Sequence, residues 1–122
     1  LWGVAFKANT DDIRETPAID TAMALVKAGA KVRFYDPEAG DNFQSYMNSR
    51  EIPVDAFENK YDALDGADAL VVLTEWKQFR APDFEEIKSR LKQKIIFDGR
   101  NLYSTQKVLE QGFTYYAVGK RI

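Results

Sequence analysis

Residues 6–17 read Phe6-Lys7-Ala8-Asn9-Thr10-Asp11-Asp12-Ile13-Arg14-Glu15-Thr16-Pro17. The stretch follows an apolar run, Leu1–Phe6, and precedes a helical pattern that starts at Pro17. A strand that hands over to a helix in this way opens a βαβ unit. The turn between them is where such units commonly present backbone N–H groups to an anion. That use of the backbone normally requires glycine, and there is none between Phe6 and Pro17. The turn instead carries Lys7 and Arg14 among Asp11, Asp12 and Glu15, with Asp20 following inside the helix. An anion held here is held largely by side-chain cations.

Working outward, apolar runs alternate with helical patterns, which predicts an α/β fold built on a mainly parallel sheet. Leu1–Phe6 is the first expected strand. Thr16 caps the next helix, Pro17 takes its first position, and Ile19, Ala22, Met23 and Val26 share one face before Gly29 ends it. Lys31–Tyr35 is a second strand. A short helix is expected over Asp41–Ser49, a short edge strand over Pro53–Phe57, and one helical turn over Tyr61–Leu64, stopped by Gly66. Ala69–Leu73 is a continuous apolar run of the kind found in a central parallel strand. Asp83 and Glu86 form a capping box for a helix that places Phe84, Ile87 and Leu91 together. Lys94–Phe97 is a strand. Ser104 or Thr105 caps a short helix ended by Gly112, and Phe113–Ala117 is the last strand. The expected architecture is a Rossmann-like, doubly wound, mainly parallel sheet of about six strands with helices on both faces.

A length of 122 residues, 45% of them apolar, fits one domain with its own core. A net charge of −2 provides no basic field for a nucleic acid. No apolar run approaches the ~18 residues of a membrane span, and the first residues lack a secretory pattern, so a cytoplasmic location is expected. With no cysteine there is no thiolate nucleophile or disulfide, and with no histidine the commonest metal ligand and general base is missing. No metal site is expected. The sequence begins inside an apolar strand without an initiator methionine, and we read residues 1–122 as one domain of a longer protein.

In open parallel sheets, ligands bind beyond the carboxyl ends of the strands. Position alone leaves Lys7 open between a ligand-reaching ammonium and a solvated strand-end lysine. Arg14 is open between an anion contact and pairing with Asp11, Asp12 or Glu15. Arg100, after the tight Asp98-Gly99 pair, is open between a ligand contact and a surface arginine. Asn101 is a weaker candidate because asparagine suits such turns. Glu75-Trp76 reads as packing more than ligand contact. Asp36 stands where a dinucleotide fold keeps its ribose-binding acid, but without a glycine loop Asp36-Pro37 reads as a turn. Gly119 reads as a breaker and Lys120-Arg121 as a solvated tail.

Several of these stretches resemble one family. Residues 6–17, Tyr35–Pro37, Ala67–Trp76, Phe79–Phe84 and Phe97–Tyr103 are similar, in order, to motifs of the C-terminal domain of the UDP-glucose/GDP-mannose 6-dehydrogenases. The wording of Thr74–Phe79 and Asp98–Tyr103 resembles the bacterial UDP-glucose branch more than the GDP-mannose branch. The resemblance implies a UDP-sugar substrate contacted by Phe6, Lys7 and Arg100, and an NAD cofactor touched by Arg14 but held mainly by an N-terminal NAD-binding domain. It also implies a homodimer at full length. Whole enzymes of the family oxidise the sugar C6 alcohol to a carboxylate through intermediates on a cysteine. This chain has no cysteine, so no catalytic residue is expected within it. Ala8 departs from the family, where proline is common, and affects only loop stiffness. The resemblance leaves open a UDP-N-acetylhexosamine or GDP-mannose substrate. The residues themselves also fit a non-catalytic flavodoxin-like or receiver-like module. A Rossmann domain binding NAD alone is disfavoured by the missing glycine motif.

Overall fold

A computed structural model describes residues 1–118. The last four residues, which include Gly119, Lys120 and Arg121, lie outside the described residues. Among the described residues five strands are formed: β1 (Arg33–Phe34), β2 (Asp55–Ala56), β3 (Leu70–Val72), β4 (Ile95–Asp98) and β5 (Thr114–Ala117). Five helices accompany them: α1 (Pro17–Lys27), α2 (Gly40–Ser49), α3 (Lys77–Arg80), α4 (Phe84–Arg90) and α5 (Thr105–Glu110), with a 3-10 turn at Asp62–Leu64. β1 pairs with β2, and β3, β4 and β5 pair in that order, all in parallel.

The two small sheets are joined through the first residues of the chain. Trp2 bridges Tyr35 on one side and Val72 on the other, both in parallel. Its amide donates to the Val71 carbonyl at 2.8 Å and its carbonyl accepts from Leu73 at 2.9 Å, while Gly3 donates to Tyr35 at 2.8 Å. The spatial order is therefore β2, β1, the Trp2 segment, β3, β4, β5. The chain starts at the centre, runs out to one edge, then crosses back and builds the other half. That order is the doubly wound one, and the reversal lies between the Trp2 segment and β3. Phe34 and Tyr35, adjacent in sequence, point to opposite faces. Phe34 meets Phe43 of α2 at 4.9 Å, whereas Tyr35 meets Phe79 of α3 at 6.0 Å. Helices thus cover both faces.

The expected first strand is the main difference from the sequence reading. Leu1–Phe6 pairs only around Trp2, because Gly3 adopts φ +91 and turns the chain away from an extended path. Beyond it, the Val4 and Ala5 amides go to a side chain, the Asp36 carboxylate, and not to a neighbouring strand. Smaller differences have local causes. Thr16 caps α1 by accepting from Ala18, with Ala18 and Ala22 buried, but Met23 is exposed. Asp83 caps α4 by accepting from Glu86, whereas the Glu86 side chain is drawn to Arg90 and not back to the cap. Ser104, not Thr105, caps α5. The four-residue α3 was not expected. It carries Phe79, which is fully buried and stacked on Trp2 at 5.1 Å.

The core runs through both halves: Trp2, Phe34, Phe43, Met47, Phe79, Ile87, Ile96 and Tyr115 are all essentially inaccessible. One row is left open. Val71, Phe97 and Tyr116 are register partners on the Phe34 face. Phe97 and Tyr116 stack at 5.0 Å while remaining 41% and 52% exposed.

Gly3 is the strictest backbone position. A Cβ there would lie 2.4 Å from Thr74 Cβ, at a φ that side chains rarely adopt. Gly3→Ala combines a strained conformation with overpacking, so a loss of about 3 kcal/mol or more is expected in urea unfolding. A loss below about 1 kcal/mol would show that the Thr74 loop yields freely.

Candidate functional site

Four polar residues are buried among those described: Thr16, Asp36, Thr74 and Asp98. All four stand at the carboxyl edge of the sheet and fix its loops. The Ala5 carbonyl accepts from the hydroxyls of Thr16 at 3.2 Å and Thr74 at 3.0 Å, which ties the loop after the Trp2 segment to the loop after β3. Asp36, at the end of β1, takes the Val4 and Ala5 amides and the Trp76 indole on Oδ2, and the Glu38 and Ala39 amides on Oδ1. Asp98, ending β4, does the same for its loop. Its Oδ1 accepts from the Arg100 amide, and its Oδ2 from Leu102, Tyr103 and the Tyr115 hydroxyl at 2.7 Å. Burial and this carboxylate push the Tyr115 phenol well above its ordinary range.

Three loops therefore sit side by side at the reversal point: residues 6–16, 74–76 and 98–103. The first carries Phe6, Lys7 and Arg14. Phe6 is 41% exposed while its amide donates to the Asp12 carbonyl at 2.7 Å. Lys7 is exposed and has no hydrogen bond or ion pair to another described residue. Arg14 is also exposed. Its Nε meets both Asp12 carboxylate oxygens at 3.1 Å, and its Nη2 meets Oδ2 at 2.8 Å. Of the three carboxylates that might orient it, Asp12 does so. Arg100 reaches from the third loop to the second, where its Nε and Nη2 both donate to Glu75 Oε2. Glu75 is thus a partner of Arg100, and Trp76 is a buried packing residue.

Asn101 is exposed at φ 56, a turn residue. Gly99 serves the fold. Its amide donates to the Val72 carbonyl at 2.8 Å, and a Cβ would press on that oxygen at 3.1 Å. Gly3, Thr74 and Asp98 were not singled out from sequence. Gly3 carried a usable signal, since glycine inside an apolar strand run often marks close backbone approach.

A separate cleft of about 370 Å³ opens at the ends of β1 and β2. In an adenosine-binding α/β domain the ribose acid works from the corresponding strand end. Here Asp36 lines the cleft with Glu38, Asp41 and Glu58, no lysine or arginine lines it, and Asp36 is already committed to amides and an indole. That chemistry opposes a phosphate. The cationic loops lie at the switch point itself, away from this cleft. Among the described residues no group of three or more metal-ligating side chains could hold a metal, and no helix is long and apolar enough to cross a membrane.

A doubly wound parallel sheet with loops gathered at its reversal point defines the class of Rossmann-like domains. The particular family follows from comparison. Residues 1–105 match the family model of the UDP-glucose/GDP-mannose dehydrogenase family, UDP binding domain. A UDP-glucose 6-dehydrogenase of Pseudomonas aeruginosa is 42% identical over 122 residues, covering 98% of this chain and 27% of that protein. One from Rhizobium meliloti is 42% identical over 120 residues, covering 98% and 26%. Among solved structures, a UDP-glucose dehydrogenase from Pyrobaculum islandicum superposes with a TM-score of 0.76 at 28% identity, covering 98% of this chain and 24% of that one. A UDP-D-ManNAc dehydrogenase from Pyrococcus horikoshii gives 0.75 at 29%, covering 97% and 24%. The chain belongs to the UDP-glucose/GDP-mannose dehydrogenase family, as its UDP-binding domain. It spans about a quarter of the length of the relatives it matches.

The Arg14 guanidinium holds the Asp12 carboxyl at about 2, well below the ordinary value of 3.8, chiefly by hydrogen bonding. A depressed carboxyl favours the folded state above its unfolded value, and this contribution is lost as pH falls through about 2. In an NMR titration, Arg14→Ala is expected to return Asp12 toward ordinary carboxylate behaviour. An unmoved Asp12 would show that its own loop amides set its acidity.

Proposed function

We propose that this chain is the C-terminal substrate-holding domain, residues 1–122, of a longer NAD-dependent enzyme that oxidises UDP-glucose to UDP-glucuronate. The observation that carries this reading is the arrangement at the reversal point. Lys7, without an ion pair to a described residue, and a partly exposed Arg100 come from the loops on either side of the loop after β3, whereas the cleft at the ends of β1 and β2 is acidic. Phe6 supplies an exposed aromatic face beside Lys7. Two cations and a ring suit a nucleoside diphosphate, and arginine suits its phosphates because the guanidinium offers paired donors. The 42% identity to UDP-glucose 6-dehydrogenases of two organisms supports glucose as the sugar.

The work of the domain is positioning. Holding the nucleotide end of the substrate fixes the distant sugar C6 against groups outside this chain, which converts an encounter into an oriented reaction. NAD, when bound, accepts the hydride. The residues present do not fit NAD as its main holder, because the first loop has no glycine and the Asp36 carboxylate is fully engaged. Arg14 alone, exposed at the rim, suits a contact to a cofactor held by an N-terminal domain. The open Val71–Phe97–Tyr116 row gives this domain an apolar surface on which other parts of a longer protein can pack. We place that protein in the cytoplasm, as a homodimer.

Titration calorimetry of the full-length protein with UDP, UDP-glucose and GDP tests the reading. UDP and UDP-glucose are expected to bind in preference to GDP, and Lys7→Ala and Arg100→Ala are each expected to weaken them about tenfold or more. Arg14→Ala is expected to leave UDP affinity alone and raise KM for NAD. Unchanged UDP affinity in both Lys7→Ala and Arg100→Ala would overturn the assignment.

A further inference from the structure

Both loop arginines hold a carboxylate by the same edge, Arg14 through both oxygens of Asp12 and Arg100 through Oε2 of Glu75. A guanidinium has two edges that can accept a bidentate partner: the side edge, from Nε and Nη2, and the end edge, from Nη1 and Nη2. Arg14 uses its side edge on Asp12, and Arg100 uses its side edge on Glu75. In neither case does Nη1 bond to another described residue, so the end edge can take a second anion.

The surroundings make Glu75 the more constrained member of its pair. It stands between Thr74, fully buried and bonded to the Ala5 carbonyl, and Trp76, buried and bonded to Asp36. Arg100 is followed by the exposed Asn101 in a left-handed conformation. The fixed carboxylate therefore sets the direction of the long side chain. We propose that Glu75 is a positioning residue for anion binding: it holds Arg100 by its side edge so that the end edge faces the diphosphate of the substrate. The proposal rests on the reading of Arg100 as a substrate contact.

The opposite sign has its own physical logic, since a nearby carboxylate also repels an anionic ligand and competes for the arginine. The geometry favours positioning, because the planar guanidinium stands between Glu75 and its free edge. Ordering an arginine side chain in advance is worth up to about tenfold in affinity.

A double-mutant cycle in the full-length protein decides between them, using UDP as the titrated probe and UDP-glucose for kinetics. Glu75→Ala is expected to raise the Kd of UDP and the KM of UDP-glucose about 3- to 10-fold with kcat unchanged, the mark of lost binding common to ground and transition states. Glu75→Gln keeps an acceptor oxygen and is expected to stay within about threefold of wild type. In an Arg100→Ala background, Glu75→Ala is expected to change nothing further. Tighter or unchanged UDP binding by Glu75→Ala, with Arg100→Ala still weakening it, overturns the positioning role and leaves the substrate contact standing. A Glu75→Ala effect that persists without Arg100 overturns it as well. An Arg100→Ala variant with normal UDP affinity overturns both readings together. Unfolding midpoints of the wild type and all four variants separate these outcomes from misfolding.

Discussion

The carboxylate of Asp36 is the interaction on which the rest of the edge depends. It gathers five donors from three parts of the chain: two amides after the Trp2 segment, two amides entering α2, and the indole of Trp76 after β3. Each is a charge-assisted bond, about twice as strong as its neutral counterpart. Without a carboxylate those donors would be buried and unpaired, at about 1–3 kcal/mol each. No neutral side chain of that size offers the lone pairs of two anionic oxygens. The position that would serve a ribose in a dinucleotide domain serves the protein's own backbone here.

Asp98 repeats the device one loop further along. It binds the amides of the turn that carries Arg100, together with a buried tyrosine hydroxyl. Two buried carboxylates, helped by the Thr16 and Thr74 hydroxyls on one carbonyl, make a rigid floor from loops that have no regular structure. The charged side chains above that floor are exposed or partly so. Buried acids hold the loops, and the cations stand above them at the surface.

The apolar frame explains why the floor lies where it does. Trp2 links the two half-sheets, and its ring is stacked on Phe79, edge-on to Tyr61, with its indole N–H on the Lys60 carbonyl. The residue that joins the halves of the sheet therefore also fixes the helices and loop packed on one face. Gly3 follows at once, letting the chain pass within contact distance of Thr74. Sheet closure and the reversal point are one local arrangement.

Much of this was legible in the sequence. Period, caps and breakers located α1, α2, α4, α5 and the strands around β3, β4 and β5, because those signals act within a few residues. The first loop declared its cations and its lack of glycine, and five motifs in order declared the family. Three things were decided by the tertiary structure. Leu1–Phe6, strongly apolar, looked like a full strand; a close approach between Gly3 and Thr74, distant in sequence, stopped it. Asp36 read as a turn acid, and only folding brought it the Val4, Ala5 and Trp76 donors. Glu75 beside Arg100 was invisible because the two stand on different loops and become neighbours only when β3 and β4 pair. Sequence carries what neighbours along the chain impose; the partners of a buried or paired charge come from strands that meet after the chain has crossed the sheet.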